Sequence, residues 1–142
     1  MASRTSFKHV AAAAGAAILS TIAAIQPSHA ATSLAGPWQM AISGNTGCGL
    51  TTMLVDVTLN ASGFGNNATI TMHGSCGDSV ITGQTFQILS ISGRTAKANL
   101  SCGAGCGWNL DVQIEPKYTS FNLVDVDPVN PGNYIAGTAI RR

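Results

Sequence analysis

Four cysteines, Cys48, Cys76, Cys102 and Cys106, are the side chains best suited to chemistry, and each is followed by glycine. Four thiolates bind zinc most readily as two close pairs, and here only Cys102 and Cys106 are close, so no metal site is expected. A reactive dithiol usually has Cys-x-x-Cys spacing, and Cys102-Gly-Ala-Gly-Cys106 is one residue longer. A reducible hairpin disulfide is the redox alternative. His73 is the one histidine beyond position 30, and strand parity places it on a polar face beside Thr71. General-base work there would need a partner that the sequence does not identify. Asp125 shares parity with Phe121 and Leu123, so an unbroken strand would turn it inward, where an aspartate needs a partner. The alternative is that alternation breaks near the strand end. Asp125-Val-Asp127-Pro-Val-Asn130 loosely resembles a calcium loop but lacks the glycine and terminal glutamate of an EF-hand. Turn-capping Asx residues account for the same letters. Nucleophile elbows, zinc-protease motifs, P-loops and dinucleotide fingerprints do not occur, so no catalytic residue and no cofactor is assigned.

The segment that precedes these residues sets their compartment. Residues 1–30 read as a secretory signal peptide: Arg4 and Lys8 supply positive charge, Val10 to Ile25 is uncharged and Ala-rich, and Ser28-His29-Ala30 suits a signal peptidase. The apolar run is short for a membrane span. Cleavage after Ala30 is therefore expected, giving a periplasmic or secreted protein, residues 31–142, with no membrane insertion. No apolar tail precedes Arg141-Arg142, and no cysteine sits at the cleavage point to carry lipid. Asn60, Asn67 and Asn99 begin glycosylation sequons, which matter only in a eukaryotic host, whereas the Ala-rich leader looks bacterial. An even cysteine count in an exported chain argues for disulfides.

Without the leader, five basic residues face six acidic ones, a net charge of −1. Charged residues make up 9% of the chain, far below the ~25% usual for soluble domains. No basic patch exists to attract nucleic acid or anionic lipid. Ser, Thr, Asn and Gln must supply the solvated surface instead. The length supports a single domain with one modest core, which disulfides would help stabilise.

The period of residues 31–142 is two. Trp108, Leu110, Val112 and Ile114 alternate with Asn109, Asp111, Gln113 and Glu115; Met53 to Leu59, Ile70 to His73 and Thr95 to Cys102 repeat the pattern. Further strands fit Trp38 to Ser43, Thr82 to Ile91, Tyr118 to Val126 and Asn133 to Ile140. Gly44–Gly47, Ser62–Asn67, Ser92-Gly93, Glu115–Lys117 and Asn130–Asn133 carry turn residues. An all-β, antiparallel eight-stranded meander follows. A small closed barrel is favoured over a β-sandwich, because no long crossover is present for a Greek key. Ala41–Leu50 also aligns without gaps on Asn99–Trp108, a sign either of two related halves or of coincidence in a Gly-rich chain.

In such a meander the loops holding Cys48, Cys76 and Cys102/Cys106 share one end with the 127–133 connection. The preferred pairing is Cys48 with Cys76, worth about 3 to 4 kcal/mol by unfolded-state constraint, and Cys102 with Cys106 across one hairpin. The two other connectivities stay open. Loops ordered by disulfides make better binding surfaces than free ones. The candidate binding residues are therefore Asn45, Thr46, Asp78, Trp108, Asp125, Asp127, Asn130 and Asn133.

Gly36-Pro37-Trp38, opening the first strand, resembles the G-x-W start of the calycin barrels, which include lipocalins, avidins and small bacterial metalloprotease inhibitors. The inhibitors are the nearest in size, with a cysteine opening the next strand as Cys48 does here. The resemblance implies a barrel and structural roles for Gly36 and Trp38; the four cysteines and the lack of later pocket tryptophans beyond Trp108 depart from it. A non-enzymatic binding protein for a small ligand or a protein partner, inhibitor-like in the second case, is the expected function. The alternative is a structural or cell-surface-associated envelope protein. A lined cavity would favour a ligand-binding barrel, and a filled barrel with an exposed apolar patch the structural protein.

Overall fold

A computed structural model describes residues 31, 33–47, 49–126 and 132–142. The residues read as a leader, together with Cys48, Asp127 and Asn130, lie outside the described residues. The strands are β1 (Gly36–Asn45), β2 (Leu50–Leu59), β3 (Phe64–Gly74), β4 (Ser79–Ser92), β5 (Thr95–Gly103), β6 (Cys106–Ile114), β7 (Ser120–Asp125) and β8 (Tyr134–Arg141). They close in chain order into an antiparallel barrel, with β8 pairing back onto β1 from Trp38–Arg141 to Asn45–Tyr134. Closure leaves no free sheet edge to template aggregation. The barrel, not the sandwich, is the fold.

Alternation decides what fills it. Around one ring of the ladder, Ile114, Phe121, Ala139, Met40, Val55, Ile70 and Ile81 face one another across successive strands. The small Ala139 sits between the large Phe121 and Met40, and in the next ring Gly137 sits between Leu123 and Ile42. Small and large residues alternate in this way where side chains must fill a narrow barrel. Inward residues of all eight strands join in one buried cluster. Trp38, fully buried, packs its ring 4.8 Å from that of Phe121, which lies 6.1 Å from Phe86.

The end opposite the cysteines is closed by the first described residues. Leu34 is fully buried, its N–H donates to Ala31 O (3.1 Å), and its carbonyl accepts the Trp38 indole N–H (2.7 Å). Burying a leucine here contributes on the order of 2 kcal/mol. Arg141, from the last strand, lies over the Trp38 ring and donates to the carbonyls of Ser33 and Ala35. Gly36 and Trp38 are therefore structural, and a closed eight-stranded barrel is consistent with a calycin-like architecture.

Two expectations need correction. The segment Ser62–Asn67 is not a turn throughout: β3 starts at Phe64, and the register shifts between Gly65 and Ala68. Such a shift is a β-bulge, and a bulged strand end reads as a loop in sequence. A side chain at Gly65 would stand 2.7 Å from Thr58 O, so the backbones approach too closely for anything larger. The apparent repeat is also not a structural one. Its aligned ends face opposite ways, Leu50 being exposed and Trp108 buried, because the β1–β2 and β5–β6 hairpins turn at different registers.

Candidate functional site at the cysteine end

The β1–β2, β3–β4, β5–β6 and β7–β8 connections lie at one end of the barrel. Cys102 and Cys106 form a disulfide there, with Cα atoms 5.1 Å apart. Cys76 is also disulfide-bonded; its expected partner, Cys48, lies outside the described residues.

Neighbouring loops are held to each other by backbone and hydroxyl contacts. The Ser75 N–H donates to Leu50 O (3.2 Å), fastening the β3–β4 turn to the start of β2. Thr51 is the one buried polar side chain among the described residues. Its hydroxyl meets that of Thr46 (2.9 Å) and donates to Gly49 O (3.3 Å), so it is buried with its partners supplied. Gly44 and Gly74 flank it on β1 and β3, and a side chain at Gly74 would run into the Thr51 hydroxyl. Sequence reading passed over Thr51, although a threonine at an inward-parity position was the available signal.

Six of the eight candidate binding residues are described, and they are engaged in different ways. Asn45 Oδ1 accepts the Gly47 N–H (3.1 Å) and Thr46 bonds Thr51, so both are engaged in the turn. Trp108 is 8% exposed and faces the core beside Leu100, which makes it a plug for the mouth rather than a contact surface. Asp125 is half-buried and pairs with the inward Leu110, so the alternation holds to the end of β7. Asn133 lies against Gly47, joining the β7–β8 and β1–β2 connections. Asp78 Oδ1 lies 3.0 Å from His73 Nδ1, and both side chains are largely exposed, so the contact contributes little to stability in water. Asp127 and Asn130 lie outside the described residues. Among those residues no cluster of three or more His, Cys, Asp or Glu side chains could hold a metal.

What the sequence did not single out is the outer wall at this end. Tyr134 on β8 and Leu50 on β2 both pair with Asn45 on β1, and they are 56% and 71% exposed. Between them runs a groove of about 450 Å³ lined by Ser43, Gly44, Thr52 and His73. Leu54 and Val80, also exposed, flank Thr71 in a neighbouring row. The signal was present in Leu50 and Tyr134 as apolar residues at outward positions beside turns.

A larger groove, about 550 Å³, crosses the outside of β4–β7 between Ser90, Thr95, Lys97, Asp111, Gln113 and Asn122. Three of its polar groups are already engaged: Lys97 pairs with Asp111, and Asn122 accepts from the hydroxyl of Thr138 on the neighbouring β8 (2.9 Å). Size alone favours this groove. Apolar side chains line it too, with Val124 47% exposed, but Leu50 and Tyr134 are the more exposed, and exposed apolar surface is the feature that rewards contact with another molecule.

No known family model matches the chain, and no curated protein or solved structure shows significant similarity to it. No helix among the described residues is long and apolar enough to cross a membrane.

Proposed function

We propose that this is an exported, non-enzymatic protein that contacts a protein partner in the cell envelope through the outer wall of its cysteine end. The observation that carries the reading is the contrast between inside and outside. The barrel is packed with its own side chains, from Trp38 and Phe121 at one end to Trp108 at the other, while Leu50 and Tyr134 stand uncovered around the Asn45 position. A ligand-binding barrel needs space inside; a protein-binding one needs exposed anchors beside ordered loops. An inhibitor-like role is one form this contact would take.

A filled barrel with an exposed apolar patch is also what the alternative, a structural or surface-associated envelope protein, calls for, and the low charge of the chain adds to it; the ordered loops beside Leu50 and Tyr134 are what favour a binder. Reversibility separates the two: a binder exchanges its partner, whereas a structural component stays in its assembly.

Leu50→Asp and Tyr134→Asp, each checked for unchanged melting temperature, test the reading. Loss of partner association in extracts of the host envelope, with Lys117→Ala at the far end unaffected, is the expected result. Association that survives both aspartates and fails with Lys117→Ala would contradict it.

A further inference from the structure

We infer that the Cys102–Cys106 disulfide is a thiol-exchange site, reactive at the Cys106 sulfur towards the dithiol of an exported oxidoreductase, and that the barrel stays closed when it opens. Cys106 is the accessible end of the bridge. Residues Gly103 to Gly107 are all exposed, Cys106 included, whereas Cys102 is partly buried against the core. A thiolate arriving from solvent therefore meets Cys106 first, and access is one determinant of exchange rate.

The second element is independence from the fold. The β5–β6 ladder runs from Thr95–Gln113 to Ser101–Gly107 without the disulfide's help and shifts register only at Gly103–Cys106. The Asn99 amide adds bonds to Trp108 O (3.2 Å) and Asn109 Oδ1 (3.3 Å) across the same pair of strands. Opening the bridge leaves this ladder and the core beneath it in place.

The third is room to move. Gly103 and Gly105 hold φ of 120° and 74°, and nothing lies within 4 Å of where their side chains would be. A tip made of glycines in open space adapts to an incoming partner at little steric cost. Trp108, two positions along β6 and still 8% exposed, lies just inside the tip.

The chemistry balances without another reagent. A thiolate of the partner dithiol attacks the Cys106 sulfur, forms a mixed disulfide and releases Cys102 as thiolate. The partner's second thiolate then displaces Cys106, so the partner is oxidised to its disulfide and both cysteines are reduced. Two protons pass from the partner's thiols to Cys102 and Cys106 by way of solvent.

The test uses the full mature protein, dithiothreitol as the dithiol, alkylation at timed intervals, and peptide mapping under native conditions. Cys102 and Cys106 should be labelled under native conditions at least as fast as Cys76, which is itself exposed and serves as the reference for simple access. Far-ultraviolet circular dichroism should not change over the same interval. In a Trp38→Phe background, Trp108 emission should shift to longer wavelength as the tip loosens. A Cys102→Ser/Cys106→Ser variant should fold to the same barrel. Labelling of Cys102 and Cys106 more slowly than the exposed Cys76, labelling only in denaturant, unmoved Trp108 emission, or loss of the fold in the double variant would each overturn the inference.

Discussion

The guanidinium of Arg141 lies 5.4 Å from the centroid of the Trp38 ring, and the same side chain donates to the carbonyl of Ser33 at 2.7 Å. One residue of the last strand thus ties the first strand and the segment before it together. Closure of the barrel and closure of its end share this contact.

Arg141→Lys should lower stability by about 1 to 2 kcal/mol, because lysine lacks the planar fork that stacks on the indole and reaches carbonyls together. Trp38→Ala should lower it by about 3 to 5 kcal/mol. Urea denaturation with both single variants and the double variant measures this; strictly additive losses would show that the two side chains do not interact.

Gly44 and Gly137 sit where the β1 and β8 backbones approach closely. A side chain at Gly44 would collide with Tyr134 O, and one at Gly137 would meet Ala41 O and the Ile42 Cα. Gly44→Ala and Gly137→Ala should each destabilise by about 2 kcal/mol or more, beyond any backbone entropy gained from losing glycine. Gly77→Ala, where nothing is within reach but φ is 100°, should lose less. Equal melting temperatures for all three would contradict the close approach.

Much of this architecture was legible from alternation alone. Trp108, Leu110, Val112 and Ile114 are all buried on β6, as period two requires. Closure was readable from the lack of a crossover, and the Cys102–Cys106 pairing from the hairpin between them. Cross-strand partnerships were not readable, because they depend on register. Lys97 and Asp111 meet only because β5 and β6 pair them, and Tyr134 joins Leu50 beside Asn45 only because barrel closure brings the last strand onto the first. The bulge at Gly65 was hidden for a related reason: its glycine answers to the neighbouring Thr58 backbone, not to a turn.

Glu115 gives a pH dependence of known sign. Its carboxylate accepts from the Thr119 hydroxyl (2.9 Å) and N–H (3.4 Å), and these bonds, the hydroxyl first, hold its pKa below the usual carboxylate value. A depressed carboxylate contributes stability that is present above the unfolded-state pKa and fades as pH falls through the folded one. The residue is in part open to solvent, which screens the interaction, so the effect is small. Melting temperatures of the wild type and Glu115→Gln should differ near neutrality and converge in acid; a gap that stays constant with pH would contradict this assignment.

Export and oxidation make a paired prediction. N-terminal sequencing of protein from the host should begin at Ala31, which is buried in the fold. Thiol titration without reductant should find no free cysteine, and peptide mapping should pair Cys76 with Cys48. An intact leader or a crossed pairing would refute the corresponding half.

Native mass spectrometry of the protein drawn gently from its host's envelope tests the central claim most directly. A filled barrel that works by outer contact should appear without a retained small molecule and in complex with a protein partner, and Leu50→Asp should abolish the complex. A stoichiometric small ligand that survives both Leu50→Asp and Tyr134→Asp would contradict the account.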